Sequence, residues 1–131
     1  MNIEVRAIAA HEIETVRQML LANGWSHRVE SASKFETLVK NSDHAIVAVA
    51  DDIIVGFARA ISDHLSNGYV SMLLVLPSHR RMGIGRSLMK YLLGQSSGIT
   101  WVLRASRDGA KELFSSLGFT HSVDAMELKR Q

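Results

Sequence analysis

Three arginines and two glycines lie close together between an apolar run and an amphipathic stretch. The apolar run ends at Pro77, and the turn that follows carries, in order, Arg80, Arg81, Gly83, Gly85 and Arg86. Glycine lets a backbone approach a ligand closely. A strand that leads into a helix through glycines directs bare N–H groups, and the positive end of the helix dipole, at one point. The turn is therefore predicted to bind an anion, and its arginines favour a phosphate.

The spacing of the turn does not fit two common phosphate loops. A Walker A loop requires a glycine five residues before a Gly-Lys pair, but that position relative to Gly85 is Arg80, and no lysine follows. A dinucleotide-binding turn requires a third glycine where Leu88 stands, and an acidic residue at the end of a second strand. The order that remains is P-x-x-R-x-x-G-x-G, from Pro77 to Gly85.

Composition excludes several classes of protein. The chain has 131 residues, 47% of them hydrophobic and 21% charged, which predicts one globular domain over residues 1–131. Cysteine is absent, so disulfides, thiolate nucleophiles and zinc knuckles are excluded, and we expect no metal. No run approaches the roughly 18 apolar residues of a membrane span. Residues 1–10 lack the apolar core of a signal peptide, so we expect a cytoplasmic protein without a membrane partner.

Charge is distributed unevenly along the chain. Residues 1–63 hold nine acidic and six basic side chains, a net charge of −3, whereas residues 64–131 hold four and nine, a net charge of +5. The second half therefore favours an anionic ligand, and the first half could tolerate a cationic one. The basic residues are not interleaved with aromatic ones, so we expect no nucleic-acid partner.

Hydrophobic periodicity predicts seven strands and four helices in the order βααβββαβαββ. The predicted strands are 2–8, 44–50, 53–61, 69–76, 99–104, 119–123 and 125–128, and the predicted helices are 10–22, a short one opened by Ser33, 83–93 and 107–117. A loop is expected over 25–32. Ser33 and Glu36 have the spacing of a capping box at the start of the second helix. This order predicts a mixed α/β sheet with helices on both faces.

The order P-x-x-R-x-x-G-x-G, between a strand and a helix, resembles the acetyl-coenzyme A signature of the GNAT superfamily of N-acetyltransferases. A second signature of that family is A-x-x-x-Y-x-x-x-G-F, and Ala110, Phe114, Gly118 and Phe119 stand at the matching spacing. The resemblance implies a mostly antiparallel sheet that splays after its fourth strand. It also implies acetyl-coenzyme A as cosubstrate and an amine as acceptor. Homodimers are frequent in such folds, although nothing in this sequence specifies one.

The resemblance also implies which residues hold the cofactor. The backbone of residues 73–75 would pair with the pantetheine arm, N–H groups of residues 80–86 would hold the pyrophosphate, and Arg81, Arg86, Arg107 or Lys111 would meet the 3′-phosphate. The full expected set is Leu73, Leu74, Val75, Arg80, Arg81, Met82, Gly83, Ile84, Gly85, Arg86 and Phe114.

Catalysis in such a protein requires a base for the amine, a donor to the thioester oxygen and a proton for the leaving thiolate. The N–H of Leu74 or Val75 could serve as the oxyanion donor. The fourth strand has no carboxylate where many relatives have a glutamate, so the candidate bases are His64, which we favour, Asp63, His79, Glu36 and His27.

Phe114 stands where relatives keep the tyrosine that protonates the thiolate, and a phenylalanine has no proton to donate. Ser115, Ser116, Ser106 or water would replace it, or the thiolate would leave unassisted, since a thiol pKa of about 8.5 makes it a tolerable leaving group.

The resemblance places the acceptor between the first two helices and the turn before the fourth strand. The residues expected there are Trp25, His27, Arg28, Asp63, His64 and Tyr69. The sequence thus predicts an N-acetyltransferase that acts on a primary amine of a small molecule, peptide or protein. The alternative is a regulatory module that binds acetyl-coenzyme A with little or no turnover, and a more distant one is a nucleotide-phosphate binder without a thioester.

Overall fold

A five-stranded mixed sheet is the centre of the computed structural model, which describes residues 2–94 and 97–131. The strands are β1 (Ile3–Ala7), β2 (His44–Ala50), β3 (Ile53–Ser62), β4 (Asn67–Val75) and β5 (Thr100–Leu103). The helices are α1 (Ile13–Leu21), α2 (Ser26–Val29), α3 (Ala32–Lys40), α4 (Ile84–Leu93) and α5 (Ala110–Ser116), with single 3-10 turns at Ala10–Glu12 and Pro77–His79. The strands follow one another in the order β1-β2-β3-β4-β5. The first three pairings are antiparallel, and β5 runs parallel to β4.

Helices cover both faces of the sheet, as the sequence predicts. Successive strand residues point to opposite faces, so Val47 and Phe57 join one core while Ala48 and Ala58 join the other. Helices α1, α2 and α3 pack on the first face. Helices α4 and α5 pack on the second, where the apolar stripe of α4 includes Ile84, Leu88, Met89 and Leu92.

Strand β4 changes its partners half-way along. Next to β3, the register passes from Arg59 opposite Met72 to Ala60 opposite Val70, so Ser71 is an extra residue that forms a bulge in β4. Next to β5, pairing covers Asn67–Val70 and Thr100–Leu103 and ends at the same place. The edge of residues 71–75 that faces away from β3 therefore has no described strand beside it. This is the expected splay after the fourth strand.

Two predictions about the first helices are wrong. The predicted loop 25–32 contains the short helix α2, because Val29 is completely buried and draws this segment onto the core. Helix α3 is capped by Ser31, whose hydroxyl accepts the Lys34 N–H at 3.2 Å, so Ser33 does not open a capping box. Glu36 instead pairs with Lys40 at 2.7 Å, one turn further along the helix.

The C-terminal segment also differs from its prediction, since neither 119–123 nor 125–128 forms a strand. The Phe119 N–H donates to the Phe114 carbonyl at 3.0 Å, and the two rings pack edge to face. Beyond this contact, Val123, Met126 and Leu128 are each more than 90% exposed. An alternating pattern stabilises a strand only when one of its faces is buried, and this segment buries neither face. An ion pair of 2.7 Å joins Glu127 to Arg104 after β5.

No described helix combines the length and the apolar character that crossing a membrane requires.

Candidate functional site

A cleft of about 1020 Å³ opens where β4 and β5 separate. The unpaired segment 71–75 of β4 forms its wall. One side is the loop between α1 and α2 with the start of α2, and the other is the loop between β5 and α5. The turn before α4 lies at the end of β4 that is away from the β5 pairing. The cleft thus begins beside the bulged residue Ser71, where the pairing of β4 with β5 ends.

The turn before α4 leaves the start of that helix without a side-chain cap. Gly83 is the N-cap residue with φ of +80°, no side chain caps it, and a methyl group placed on it would meet no atom within 4 Å. Arg81 has φ of +64°, a left-handed conformation that is uncommon outside glycine. The first N–H groups of a helix have no intrahelical acceptor. Because Gly83, Ile84, Gly85 and Arg86 line the cleft, these donors are available to an anion there.

The arginines of the turn have different partners. Arg80 Nε donates to the Val75 carbonyl at 3.1 Å and so fixes the turn to the end of β4. Arg86 donates to the Ser116 hydroxyl and joins α4 to α5. Arg81 lines the cleft and has no hydrogen-bond or ion-pair partner among the described residues. Arg81 is therefore the cation of this turn that is free to meet a ligand.

The structure brings most of the expected cofactor residues together. The cleft is lined by Leu73, Leu74, Val75, Arg80, Arg81, Gly83, Ile84, Gly85, Arg86 and Phe114. Met82 does not line it and is 55% exposed. Alternate residues of a strand direct their backbone groups to each edge, so part of segment 71–75 presents N–H and C=O groups to the cleft.

The expected acceptor residues divide into two groups. Trp25, His27, Arg28 and Tyr69 line the cleft. Asp63 and His64 do not, because they belong to the turn before β4, beside the end of that strand that is paired with β5.

Both side chains of that turn have local partners instead. The Asp63 carboxylate accepts N–H groups of Leu65, Ser66 and Asn67 at 2.7 to 3.0 Å, which holds its pKa well below the ordinary value. His64 Nε2 lies 3.2 Å from Asp43 Oδ1. The structure therefore gives no support to His64 or Asp63 as the catalytic base.

Two of the other candidate bases are at the cleft. His27 lines it from α2, and His79 lines it from the turn before α4, with Nδ1 2.8 Å from the Ser78 hydroxyl. Glu36 lies outside, paired with Lys40.

The serines that could donate a proton to a thiolate also divide into those that line the cleft and those that do not. Of the three serines considered, Ser106 lines the cleft, whereas Ser115 and Ser116 do not. The Ser116 hydroxyl donates to the Leu113 carbonyl at 2.6 Å and accepts from Arg86. Phe114 lines the cleft with 6% of its surface exposed.

Sequence reasoning named Ser106 and Arg107 of the loop between β5 and α5 but missed its other cleft residues, Arg104, Asp108 and Gly109. Arg104, Ser106, Asp108 and Gly109 line the cleft from this loop. Gly109 is the N-cap of α5 with φ of +80°, the value found at Gly83. The signal in the sequence was a strand followed by a glycine and a helix. This succession of β5, Gly109 and α5 repeats that of β4, Gly83 and α4.

Arg107 lines the cleft, and its guanidinium already has partners there. Its guanidinium carbon is 4.0 Å from the centre of the Trp25 ring, and its nitrogens donate to the carbonyls of Asn23 and Gly24 at 3.4 and 3.3 Å. It therefore joins the two loops on either side of the cleft.

A family model for the acetyltransferase (GNAT) domain matches residues 41–121, from just before β2 to just beyond α5. This chain belongs to the GNAT acetyltransferases. The match includes the cleft wall, the turn before α4 and the loop before α5.

Solved structures agree with this GNAT assignment. A GNAT family acetyltransferase from Streptococcus pneumoniae is 27% identical, with a TM-score of 0.78 over 99% of this chain and 98% of its own. A ribosomal-protein-alanine N-acetyltransferase from Brucella melitensis has a TM-score of 0.79 at 14% identity, over 99% and 100% of the two chains. A transcriptional regulator from Bacillus halodurans has a TM-score of 0.78 at 17% identity, over 98% and 100%. The last two show a shared fold alone. The sequence matches none of the curated proteins.

Proposed function

We propose that this GNAT protein transfers the acetyl group of acetyl-coenzyme A to a primary amine. The observation that supports this most is the continuity of the cleft wall. The unpaired edge of residues 71–75 leads directly into a turn whose glycine leaves the N-terminus of α4 open. An extended amide chain fits the unpaired strand edge, and a pyrophosphate fits the open N-terminus of α4.

The residues that line the cleft suit both the pantetheine arm and the pyrophosphate of coenzyme A. The backbone of Leu73, Leu74 and Val75 would bind the pantetheine arm as an added strand. The N–H groups at the start of α4 would bind the pyrophosphate, with Arg81 supplying a free positive charge. The absence of a side chain at Gly83 keeps the donors accessible. Among the described residues, no group of histidine and acidic side chains is placed to hold a metal ion.

Acetyl-coenzyme A supplies an activated thioester carbonyl. The amine nitrogen attacks the carbonyl carbon, the C–N bond forms, and the C–S bond breaks to release a thiolate. The N–H of Leu74 or Val75 would donate to the carbonyl oxygen as negative charge develops there.

The acceptor must lose a proton, because at neutral pH only about a thousandth of a primary amine is the free base. We assign this step to His27, since it lines the cleft from α2 and does not belong to the turn before α4, which would hold the pyrophosphate. His79 belongs to that turn, and its Nδ1 is engaged with Ser78. Ser106 or water would return a proton to the thiolate.

The test is release of free thiol from acetyl-coenzyme A in the presence of a panel of primary amines. We expect amine-dependent release, and we expect His27→Gln to lower kcat by about 100-fold, within the range of general base catalysis. His121→Gln is the matched control, because His121 is exposed and lies outside the cleft. Equal rates for His27→Gln and the wild type would remove His27 from the mechanism.

The alternative is a module that binds acetyl-coenzyme A without turning it over. It is favoured by an apolar Phe114 at the cleft and by the absence of any carboxylate among residues 67–75 of β4. Tight coenzyme A binding without thiol release for any amine would support it. Stabilisation by ATP in preference to coenzyme A in thermal unfolding would instead favour a nucleotide binder.

A further inference from the structure

The acceptor end of the cleft, meaning the part lined by Trp25 and α2, is positively charged. Arg28 lines it from α2, Arg107 lines it while stacked on Trp25, and Arg104 lines the cleft from the end of β5. Asp108 is the one carboxylate among the described lining residues. Arg104 is neutralised by Glu127 at 2.7 Å. Arg28 and Arg107 have no carboxylate within ion-pair distance among the described residues. A binding site for a simple cationic amine would have the opposite charge.

The charge of Arg28 also acts on a second arginine. Arg59 on β3 is half-buried, and its Nε donates to the Ser42 hydroxyl at 2.6 Å. Burial lowers the pKa of Arg59, and the charge of Arg28 lowers it further. Two neighbouring cations without a counter-ion repel each other, so an anion placed beside Arg28 would be favourable.

Trp25 adds an unused donor to the same end. Its Nε1–H is buried and has no hydrogen-bond partner in the part of the chain that the structure describes. An indole N–H donates only, so its partner must be an acceptor such as an oxygen. Its neighbour Arg107 reaches across from the β5–α5 loop to the Asn23 and Gly24 carbonyls and so limits the space at this end.

The helix that carries Arg28 is fixed in place. Arg17 on α1 donates to the carbonyls of Val29 and Glu30 at 3.1 and 3.0 Å, at the end of α2. Val29 is completely buried. The guanidinium of Arg28 is therefore presented from an anchored element and not from a loose loop.

We propose that the acceptor is a small amine that also carries a carboxylate, in the manner of a free amino acid, and that Arg28 and Arg107 bind its acid group. This rests on the proposed function. Arginine is suited to the task because its planar fork matches a carboxylate. The amine nitrogen forms the C–N bond as the C–S bond of the thioester breaks, its proton passes to His27 or solvent, and the carboxylate is unchanged in the product.

The test compares free amino acids with their carboxamides, which keep the amine and lose the negative charge. We expect kcat/KM from thiol release to be about 10- to 100-fold higher for the acid than for its amide, as charge-assisted hydrogen bonds imply. Arg28→Gln and Arg107→Gln should each bring this ratio close to one. Arg130→Gln is the control, because Arg130 is exposed in the C-terminal segment, and it should keep the ratio of the wild type. Thermal unfolding of each variant checks that it is folded.

Equal rates for acids and amides, or faster rates for amides, would overturn the proposal while leaving acetyl transfer intact. A peptide acetylated faster than any free amino acid would overturn the small-molecule part. Coenzyme A binding with no transfer to any amine would instead mean that the proposed function itself is wrong, and the acceptor assignment with it.

Discussion

The guanidinium of Arg107 lies 4.0 Å above the ring of Trp25, so the loop after β5 is attached to the loop after α1 across the mouth of the cleft. Two hydrogen bonds to the carbonyls of Asn23 and Gly24 support this contact. The attachment joins segments distant in sequence and does not require a ligand.

We expect Arg107→Ala to loosen the loop between α1 and α2. The backbone N–H of Trp25 donates to the Leu20 carbonyl at 3.1 Å, so hydrogen exchange of this backbone amide reports local opening. A cation–π contact of about 0.5 to 2 kcal/mol corresponds to an increase in exchange of about 2- to 30-fold. Arg107→Lys keeps a cation and should give a smaller increase. Unchanged exchange in Arg107→Ala would show that the loop is held by other contacts.

Gly68→Ala tests the packing where β4 and β5 pair. A methyl group on Gly68 would lie 2.3 and 2.4 Å from two ring carbons of Trp101, so the indole would have to move. We expect a loss of about 1 to 3 kcal/mol in the free energy of unfolding, as for other overpacked sites. In a double-mutant cycle with Trp101→Leu the two losses should not add. Strict additivity in denaturant titrations would show that the indole is not the obstacle.

The sequence predicted the elements whose pattern is local and strong. The run His44–Ala50 and the helical spacing of Ile84, Leu88 and Leu92 both appear as expected, because burial on one face determines each pattern. Ser31 and Ser33 were harder to separate, since both are residues that cap helices well. The helix begins at Ala32, which leaves Ser31 at the cap and Phe35 and Val39 buried.

The candidate site was predictable where it depends on one continuous segment. Residues 73–86 contain both the open strand edge and the turn, so their adjacency follows from the chain itself. His64 illustrates the opposite case. Whether the turn before β4 reaches the cleft depends on which end of β4 pairs with β5, and that pairing joins residues about thirty positions apart. The partner of Arg107 likewise depended on tertiary packing.

Glu12 should make stability depend on acid pH. Its carboxylate accepts two bonds of 2.8 Å from Arg6 and one of 2.8 Å from the Ala9 N–H, and its exposed fraction is 9%. The hydrogen bonds from the Arg6 guanidinium are the largest of the effects that lower the pKa of Glu12 from 4.5 to about 2. The unfolded chain binds a proton more readily, so the stabilisation is complete above about pH 4.5 and is lost as pH falls towards 2.

We therefore expect Glu12→Gln to lower the free energy of unfolding by about 2 kcal/mol at pH 7. Below pH 3 the difference in this free energy between the variant and the wild type should be smaller. Urea unfolding at several pH values measures this. Glu4→Gln is the control, because the exposed Glu4 carboxylate makes a single 3.4 Å contact with Arg6 Nε. A difference that is constant from pH 7 to 2.5 would contradict the role assigned to Glu12.

Phe114→Tyr should raise kcat if protonation of the thiolate limits the rate. A tyrosine at this cleft position would restore the proton donor found in relatives. We expect kcat to rise about tenfold, which is below the full range of general acid catalysis because the site did not evolve around a hydroxyl. Phe119→Tyr is the control, since Phe119 packs on Phe114 but does not line the cleft. A rate that is unchanged in Phe114→Tyr would indicate that the thiolate leaves without help.

Coenzyme A binding to Gly83→Glu and Gly98→Glu, measured by calorimetry, tests the anion site most directly. Both glycines have φ of +80° and open space around a new side chain, so the two substitutions add the same charge and comparable backbone strain. Gly83 lines the cleft, and Gly98 does not. We predict that Gly98→Glu binds coenzyme A as the wild type does, and that Gly83→Glu binds at least tenfold more weakly. Equal affinities of the two variants, or no binding by the wild type at millimolar concentration, would contradict a phosphate site at the start of α4.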